Sequence, residues 1–302
     1  MLMLSLAAAA VRGRGQQTTD IEQRPRALQF NRVPASIELK DICVDTPNGT
    51  RILDAVSLGI AAGESVAFIG RSGAGKTTAL RLINGLVKPS LGEVRVDGVP
   101  LAGTDLIALR RRTGYIIQGS GLFPHRTVYE NIATIPRLLG WREDDIRVAA
   151  EELLHTLGLD GFGKRMPRSL SGGEQQRVGI ARAIIARPSI LLCDEPFGAL
   201  DPIVRRELQD VFRAMRGAPV WRTAIAPSDR DGGAAEAGES TQVMTAAAAT
   251  IVFVTHDLAE ALRIAERVVV FDRGHVVEDV AARHFAESRE PVARALVEAA
   301  RW

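Results

Sequence analysis

The chain predicts an α/β fold built on a mostly parallel sheet with covered faces, and three observations carry that reading. Short apolar runs alternate with helix-like stretches through most of the sequence, the pattern of strands joined by crossover helices. A glycine-rich loop, Gly70-Arg71-Ser72-Gly73-Ala74-Gly75-Lys76-Thr77-Thr78, sits between the apolar run Ser65 to Ile69 and a helix-like segment. A helical stretch from Gly119 to Ala186 interrupts the alternation midway and implies a second subdomain.

The elements follow in order. Residues 1–35 are read as an N-terminal extension without fixed structure. Its apolar start, Met1 to Val11, lacks a preceding basic segment, and Arg12 and Arg14 come after it, so export is not expected. Ile37 to Cys43 alternates apolar and polar like a half-buried strand, and Ile52 to Ile60 does so again across the turn Pro47-Asn48-Gly49. Glu93 to Gly98 reads as strand and turn; Leu106 to Arg112 reads as a helix leading into the strand Gly114 to Gln118. In the helix from Glu143, the residues Ile146, Ala149, Ala150, Leu153, Leu154 and Leu157 fall at steps of three or four and form one apolar stripe. A helix over Glu174 to Ala186, a buried strand over Ser189 to Cys193 and an amphipathic helix over Asp201 to Met215 come next. Ile251 to Thr255 and Val268 to Phe271 supply further strands. The segment 217–250 lacks sustained periodicity and reads as a surface insertion, while 281–302 reads as a helical tail. One domain over 36–280, with a helical subdomain at 119–186, accommodates the pattern.

Composition narrows the function classes. The 302 residues are 46% hydrophobic and 25% charged, as expected of a soluble domain, and the net charge of +2 argues against an electrostatic nucleic-acid binder. Two cysteines, Cys43 and Cys193, make no disulfide or zinc framework and suit a reducing cytoplasm. No apolar run approaches the ~20 residues of a membrane-spanning helix.

The glycine loop reads G-x-x-x-x-G-K-T with a strand before it and a helix after it, the context a phosphate-binding P-loop requires. Its glycines let backbone N–H groups and a helix N-terminus face an anion closely. Gly70, Arg71, Ser72, Gly73, Ala74, Gly75, Lys76, Thr77 and Thr78 are therefore candidate nucleotide ligands. Lys76 adds a charge for the β- and γ-phosphates, and the Thr77 hydroxyl is a candidate Mg²⁺ ligand. A chance glycine turn before a helix is the bland alternative, but every motif position is filled. Further on, Ile190-Leu191-Leu192-Cys193-Asp194-Glu195-Pro196 is a Walker B pattern, two adjacent acids ending an apolar strand. Such acids are costly to bury unpaired, and Mg²⁺ supplies a partner.

Between these motifs lies Leu170-Ser171-Gly172-Gly173-Glu174-Gln175-Gln176-Arg177-Val178. A serine hydroxyl and a Gly-Gly backbone sit at the mouth of a helix, suited to an anion; Ser-x-x-Glu equally fits a capping box, and both readings can hold. With the P-loop, this LSGGQ-type signature resembles the ATP-binding cassette family, over about Ile37 to Glu278. The resemblance implies a RecA-like P-loop NTPase core with an antiparallel β subdomain and an inserted α-helical signature subdomain. It implies ATP and Mg²⁺ as cofactors, with Asp194 and Gln118 joining Thr77 around the metal. It makes Glu195 the general base, Gln118 the Q-loop amide and His256, within Thr255-His256-Asp257, the γ-phosphate switch. Phe197-Gly198-Ala199-Leu200-Asp201 resembles the D-loop, although Asp201 before Pro202 is also a good helix N-cap. Ser171, Gly172, Gly173 and Asp201 are expected to complete a nucleotide site on a second chain, because no repeated cassette is present.

The stretch Gly114 to Trp141 looks especially like importers of glycine betaine, carnitine and choline, as does Asp194 to Arg206. That likeness implies a homodimer on the cytoplasmic face of the inner membrane, peripheral, binding two permease subunits fed by an external substrate-binding protein. Leu122, Phe123 and Pro124 are the candidate docking residues for a permease helix; ordinary packing is the alternative. Some family members carry regulatory domains after the cassette, and Trp302 comes too soon for them. Two departures stand out. The family's adenine-stacking aromatic aligns with Thr46, and the segment 217–250 lengthens the interval between Walker B and His256. They keep a catalytically weak regulatory subunit in view. Importers of amino acids, polyamines or sulfonates are further readings; a DNA-maintenance ATPase is disfavoured, since no sustained heptads follow the P-loop.

Overall fold

A computed structural model describes residues 33–214 and 249–300. Of the expected extension 1–35, residues 1–32 lie outside the described residues, while Ala35 is buried in the core; of the expected insertion 217–250, residues 217–248 lie outside them, and Thr250 already belongs to β8. The strands are β1 (Ile37–Asp45), β2 (Arg51–Ile60), β3 (Ser65–Gly70), β4 (Leu91–Val96), β5 (Val99–Pro100), β6 (Thr113–Ile116), β7 (Ile190–Asp194), β8 (Thr250–Val254), β9 (Arg267–Asp272) and β10 (His275–Ala281). The helices are α1 (Lys76–Ile83), α2 (Leu106–Arg111), α3 (Val128–Ile132), α4 (Thr134–Leu138), α5 (Glu143–Thr156), α6 (Gly172–Ile184), α7 (Pro202–Ala214), α8 (Leu258–Ile264) and α9 (Pro291–Ala299).

Two sheets form. One is antiparallel in the order β2-β1-β4-β5; the other has six strands in the order β10-β9-β3-β8-β7-β6, parallel from β9 to β6. In β3, β7 and β8 every residue is buried, which explains their continuous apolar runs: a parallel strand inside such a sheet has both faces covered. The period of two still decides which core each side chain enters. Val66, Phe68, Leu192, Val252 and Val254 join the core beneath α1 and the antiparallel sheet. Ala67, Ile69, Leu191, Cys193, Ile251 and Phe253 face the opposite core, which the helical segment and α8 cover. The apolar stripe expected on α5 is buried along its length, Ile146 through Leu157.

Several boundaries move by a residue or two, and three of the shifts matter here. The strand expected to end at Gln118 ends at Ile116, so Gln118 sits in the loop beyond β6. The helix expected from Glu174 starts at Gly172, because Ser171 caps it. The expected tail 281–302 opens with the last residue of β10, continues as a 3₁₀ turn over Ala282–Glu287 and then becomes α9, and it buries Phe285 and Ala293 in the core. The hairpin that makes β10 was not anticipated. Arg273 (φ 46°) and Gly274 (φ 85°) are both left-handed, as a two-residue hairpin turn demands.

Candidate active site

Parallel strands place their loops at one sheet edge. β3 ends in Gly70, β7 in Asp194 and β8 in Val254, with Asp194 opposite Val254 in the ladder. Gly70 has φ 140°, and a Cβ there would lie 2.1 Å from the Phe271 carbonyl oxygen, so only glycine lets the loop leave the sheet here. Lys76 opens α1; its Nζ donates to the carbonyls of Gly70 and Arg71, each at 2.8 Å. Burial pushes its pKa down, while Glu195 and Asp194 act in the opposite sense.

An open cleft of about 600 Å³ is lined by Ile52, Ser72, Gly73, Ala74, Gly75, Lys76, Thr77, Thr78, Gln118, Glu195, Val254 and His256. Beneath it the Thr77 hydroxyl donates to Asp194 Oδ1 at 2.8 Å. Asp194 is only 1% exposed, among the described residues its Oδ2 has no hydrogen-bond partner, and Arg81 lies 3.8 Å from that oxygen. Burial raises its pKa, with Thr77 and Arg81 opposing. A buried carboxylate oxygen without a partner, beside a hydroxyl, fits a divalent cation. Among the described residues no cluster of three or more His, Cys, Asp or Glu could hold a metal by itself.

Glu195 projects into the cleft from a left-handed backbone (φ 49°), with its N–H on the Val254 carbonyl at 3.0 Å. Non-glycine residues in that region persist where the surroundings over-determine them. Gln118 Nε2 donates to Glu195 Oε2 at 3.0 Å, and His256 Nδ1 lies 3.6 Å from Glu195 Oε1. The amide, the carboxylate and the imidazole thus converge opposite the P-loop.

Ser171, Gly172, Gly173 and Asp201 do not line this cleft. Ser171 Oγ accepts from Glu174 N at 3.2 Å and Glu174 Oε2 accepts from Ser171 N at 2.6 Å, a complete capping box. Asp201 Oδ1 caps α7 by accepting from Ile203 N and Val204 N, both at 3.1 Å. The Thr46 hydroxyl accepts from Thr50 N at 3.0 Å and closes the β1–β2 turn, and among the described residues no aromatic side chain lines the cleft.

Two buried polar residues are given no role by the motif reading, although Gln176 lies within the signature stretch. Gln176, 2% exposed on α6, hydrogen-bonds the loop after Gln118 and the segment after Glu195. Glu260 on α8 accepts from the Thr255 hydroxyl at 2.7 Å, and that hydroxyl accepts from Asp257 N at 3.0 Å, which braces both neighbours of His256. Burial raises the pKa of Glu260. The available signals were a polar residue at a core position of a helix and, for Gln176, its place directly after the signature turn.

The family model for ABC transporters matches residues 53–198. The chain superposes on the dimeric, ADP- and phosphate-bound ATP-binding cassette MJ0796 with a TM-score of 0.67 and 30% identity, covering 82% of this chain and 99% of that one. The chain belongs to the ATP-binding cassette family. Nucleotide binding comes with that membership. The chain is 39% identical over 243 residues to the glycine betaine/carnitine/choline transport ATP-binding protein OpuCA of Bacillus subtilis (80% of this chain, 57% of that protein). It is 42% identical over 224 residues to the glycine betaine uptake system ATP-binding protein YehX of Escherichia coli (74% and 64%). The cassette thus spans less than two thirds of the length of these relatives. No helix among the described residues is long and apolar enough to cross a membrane.

Proposed function

We propose that this cassette is the ATP-hydrolysing subunit of an importer for a quaternary-amine osmoprotectant such as glycine betaine, carnitine or choline. It works as a pair on the cytoplasmic face of the inner membrane, docked to permease subunits that an external binding protein supplies. One observation carries the paired reading: the cleft gathers the P-loop, Gln118, Glu195 and His256 but not Ser171 to Gly173. A second chain can bring that serine-glycine turn to the open side of the cleft. The identity to OpuCA and YehX supports the cargo.

The residues then divide the work. P-loop residues 70–78 hold the phosphates through backbone N–H groups, and the Lys76 ammonium turns from the carbonyls of Gly70 and Arg71 to the β- and γ-phosphates. Glu195 accepts the proton of the attacking water; Gln118 fixes its carboxylate, and the His256 imidazole orients the water against the γ-phosphate. Thr77, Asp194 and Gln118 would hold Mg²⁺, which when bound neutralises the charge that develops on the transferring phosphoryl group. ATP between two chains favours the closed pair, and loss of the γ-phosphate removes that preference.

A groove of about 350 Å³ supports permease docking. Tyr115, Ile117, Phe123 and Ile135 line it, with Arg110 and Arg182 among the basic residues beside them, suiting an amphipathic helix. Of the expected docking residues, Phe123 lines the groove, Leu122 packs against the core and Pro124 is exposed. The pairing is tested with Glu195→Gln, which retains the Gln118 contact geometry but removes the base. In ATP and Mg²⁺ it accumulates as a dimer by light scattering, with turnover down by ~10²–10⁴; a persistent monomer refutes the pairing. Uptake in cells lacking and regaining the chain tests the cargo: restored betaine or choline uptake supports it, and restored amino-acid uptake alone refutes it.

A further inference from the structure

Gln176 is almost fully buried on α6, the helix that Ser171 opens, and it touches both segments that carry the reactive side chains. Its Nε2 donates to the Pro196 carbonyl at 3.0 Å, directly after Glu195. Its Oε1 accepts from Ser120 N at 3.2 Å, just beyond Gln118. Glu195 (φ 49°) and Ser120 (φ 58°) are both non-glycine residues in the left-handed region, so each needs its neighbourhood to hold it there. One amide, donating and accepting at once, helps to hold both.

Other contacts fasten the 120–121 loop to the same helix. Ser120 Oγ donates to Gln175 Oε1 at 3.3 Å, and Arg182 donates to the carbonyls of Gly121 (2.8 Å) and Ser120 (3.1 Å). A Cβ on Gly179 would lie 3.1 Å from the Ser120 oxygen, so the bare helix surface admits the loop. Of these groups Gln176 is the one that also hydrogen-bonds the 195–196 segment.

We infer that Gln176 is a positioning residue that makes the two nucleotide sites of a pair interdependent. It carries a displacement of α6, whose first turn meets the neighbour's nucleotide, to Glu195 and Gln118 of its own chain. The inference rests on the paired reading above. Both partners of the amide are buried backbone groups, and either one left unmatched loses its place.

The test compares Gln176→Glu, which accepts from Ser120 N but cannot donate to Pro196 O, with Gln176→Leu, which does neither. A third variant, Gly179→Ala, presses the Ser120 loop off α6 with Gln176 intact, so a misfolded Gln176 variant does not end the test. Steady-state hydrolysis against ATP concentration reads the coupling, and the affinity of the isolated chain for ADP reads the P-loop alone. The Hill coefficient is expected to fall from near the two-site limit of about 2 toward 1. kcat falls about tenfold, with ADP affinity unchanged within about twofold, because no P-loop contact is altered. Undiminished cooperativity in the folded variants overturns this inference and leaves the pairing standing. A non-cooperative wild type that stays monomeric with ATP overturns both.

Discussion

Replacing Thr77 with valine tests the physics beneath the cleft. Valine has nearly the shape of threonine, so the change removes one hydroxyl and little packing. That hydroxyl is the hydrogen-bond partner of Asp194 Oδ1 at 2.8 Å, while Oδ2 already has none. The substitution therefore leaves a carboxylate, 1% exposed, without a hydrogen bond on either oxygen. A hydrogen bond to a charged group contributes about 1.5–3 kcal/mol, so a loss of about 2 kcal/mol is expected. For a domain of this size that is a fall in Tm of roughly 4–8 °C, read by thermal unfolding without nucleotide and with chelator. The pH dependence has a definite sign. Burial raises the Asp194 pKa above its ordinary 3.8 and the Thr77 hydrogen bond opposes the rise. The folded state thus binds this proton more tightly than the unfolded chain, and stability falls as pH rises from 3.8 through the folded value. Thr77→Val moves that value higher still. Its deficit is smallest in acid, where the carboxyl is protonated in both states, and full at neutral pH. In an Asp194→Asn background the deficit shrinks, because no stranded charge remains. A deficit equal in both backgrounds, or flat across pH, refutes the assignment of the cost to the Asp194 carboxylate.

Other outcomes follow from the loop geometry and the caps. Gly70→Ala puts a Cβ 2.1 Å from the Phe271 carbonyl oxygen, so it forces β3 and β9 apart. It is expected to yield little folded protein, and a Tm equal to wild type refutes the reading. Asp201→Ala removes the acceptor for Ile203 N and Val204 N and should cost about 1 kcal/mol of stability, by denaturant titration. Asp201→Asn, which retains an acceptor, should restore most of it.

The alternation of buried strands and amphipathic helices was legible in the chain because it is local: the spacing of apolar residues reports which face each element hides. The P-loop was legible for a similar reason. Its glycines answer to φ values and close approaches set within a few residues, as at Gly70. The β9–β10 hairpin had a weaker local signal, Arg273-Gly274, which an ordinary loop could carry as well.

Sequence alone settled the α/β class and the cassette family, since short-range patterns encode both. Only the folded chain decided strand order, the left-handed turn at Glu195, and the placement of Ser171 to Gly173 away from the cleft their own chain builds. It also decided what Gln176 touches, across sequence separations of 56 and 20 residues. A side chain's type and spacing say whether it prefers to be buried. Which distant backbone group meets it there depends on how the sheet orders its strands, and no local pattern carries that information.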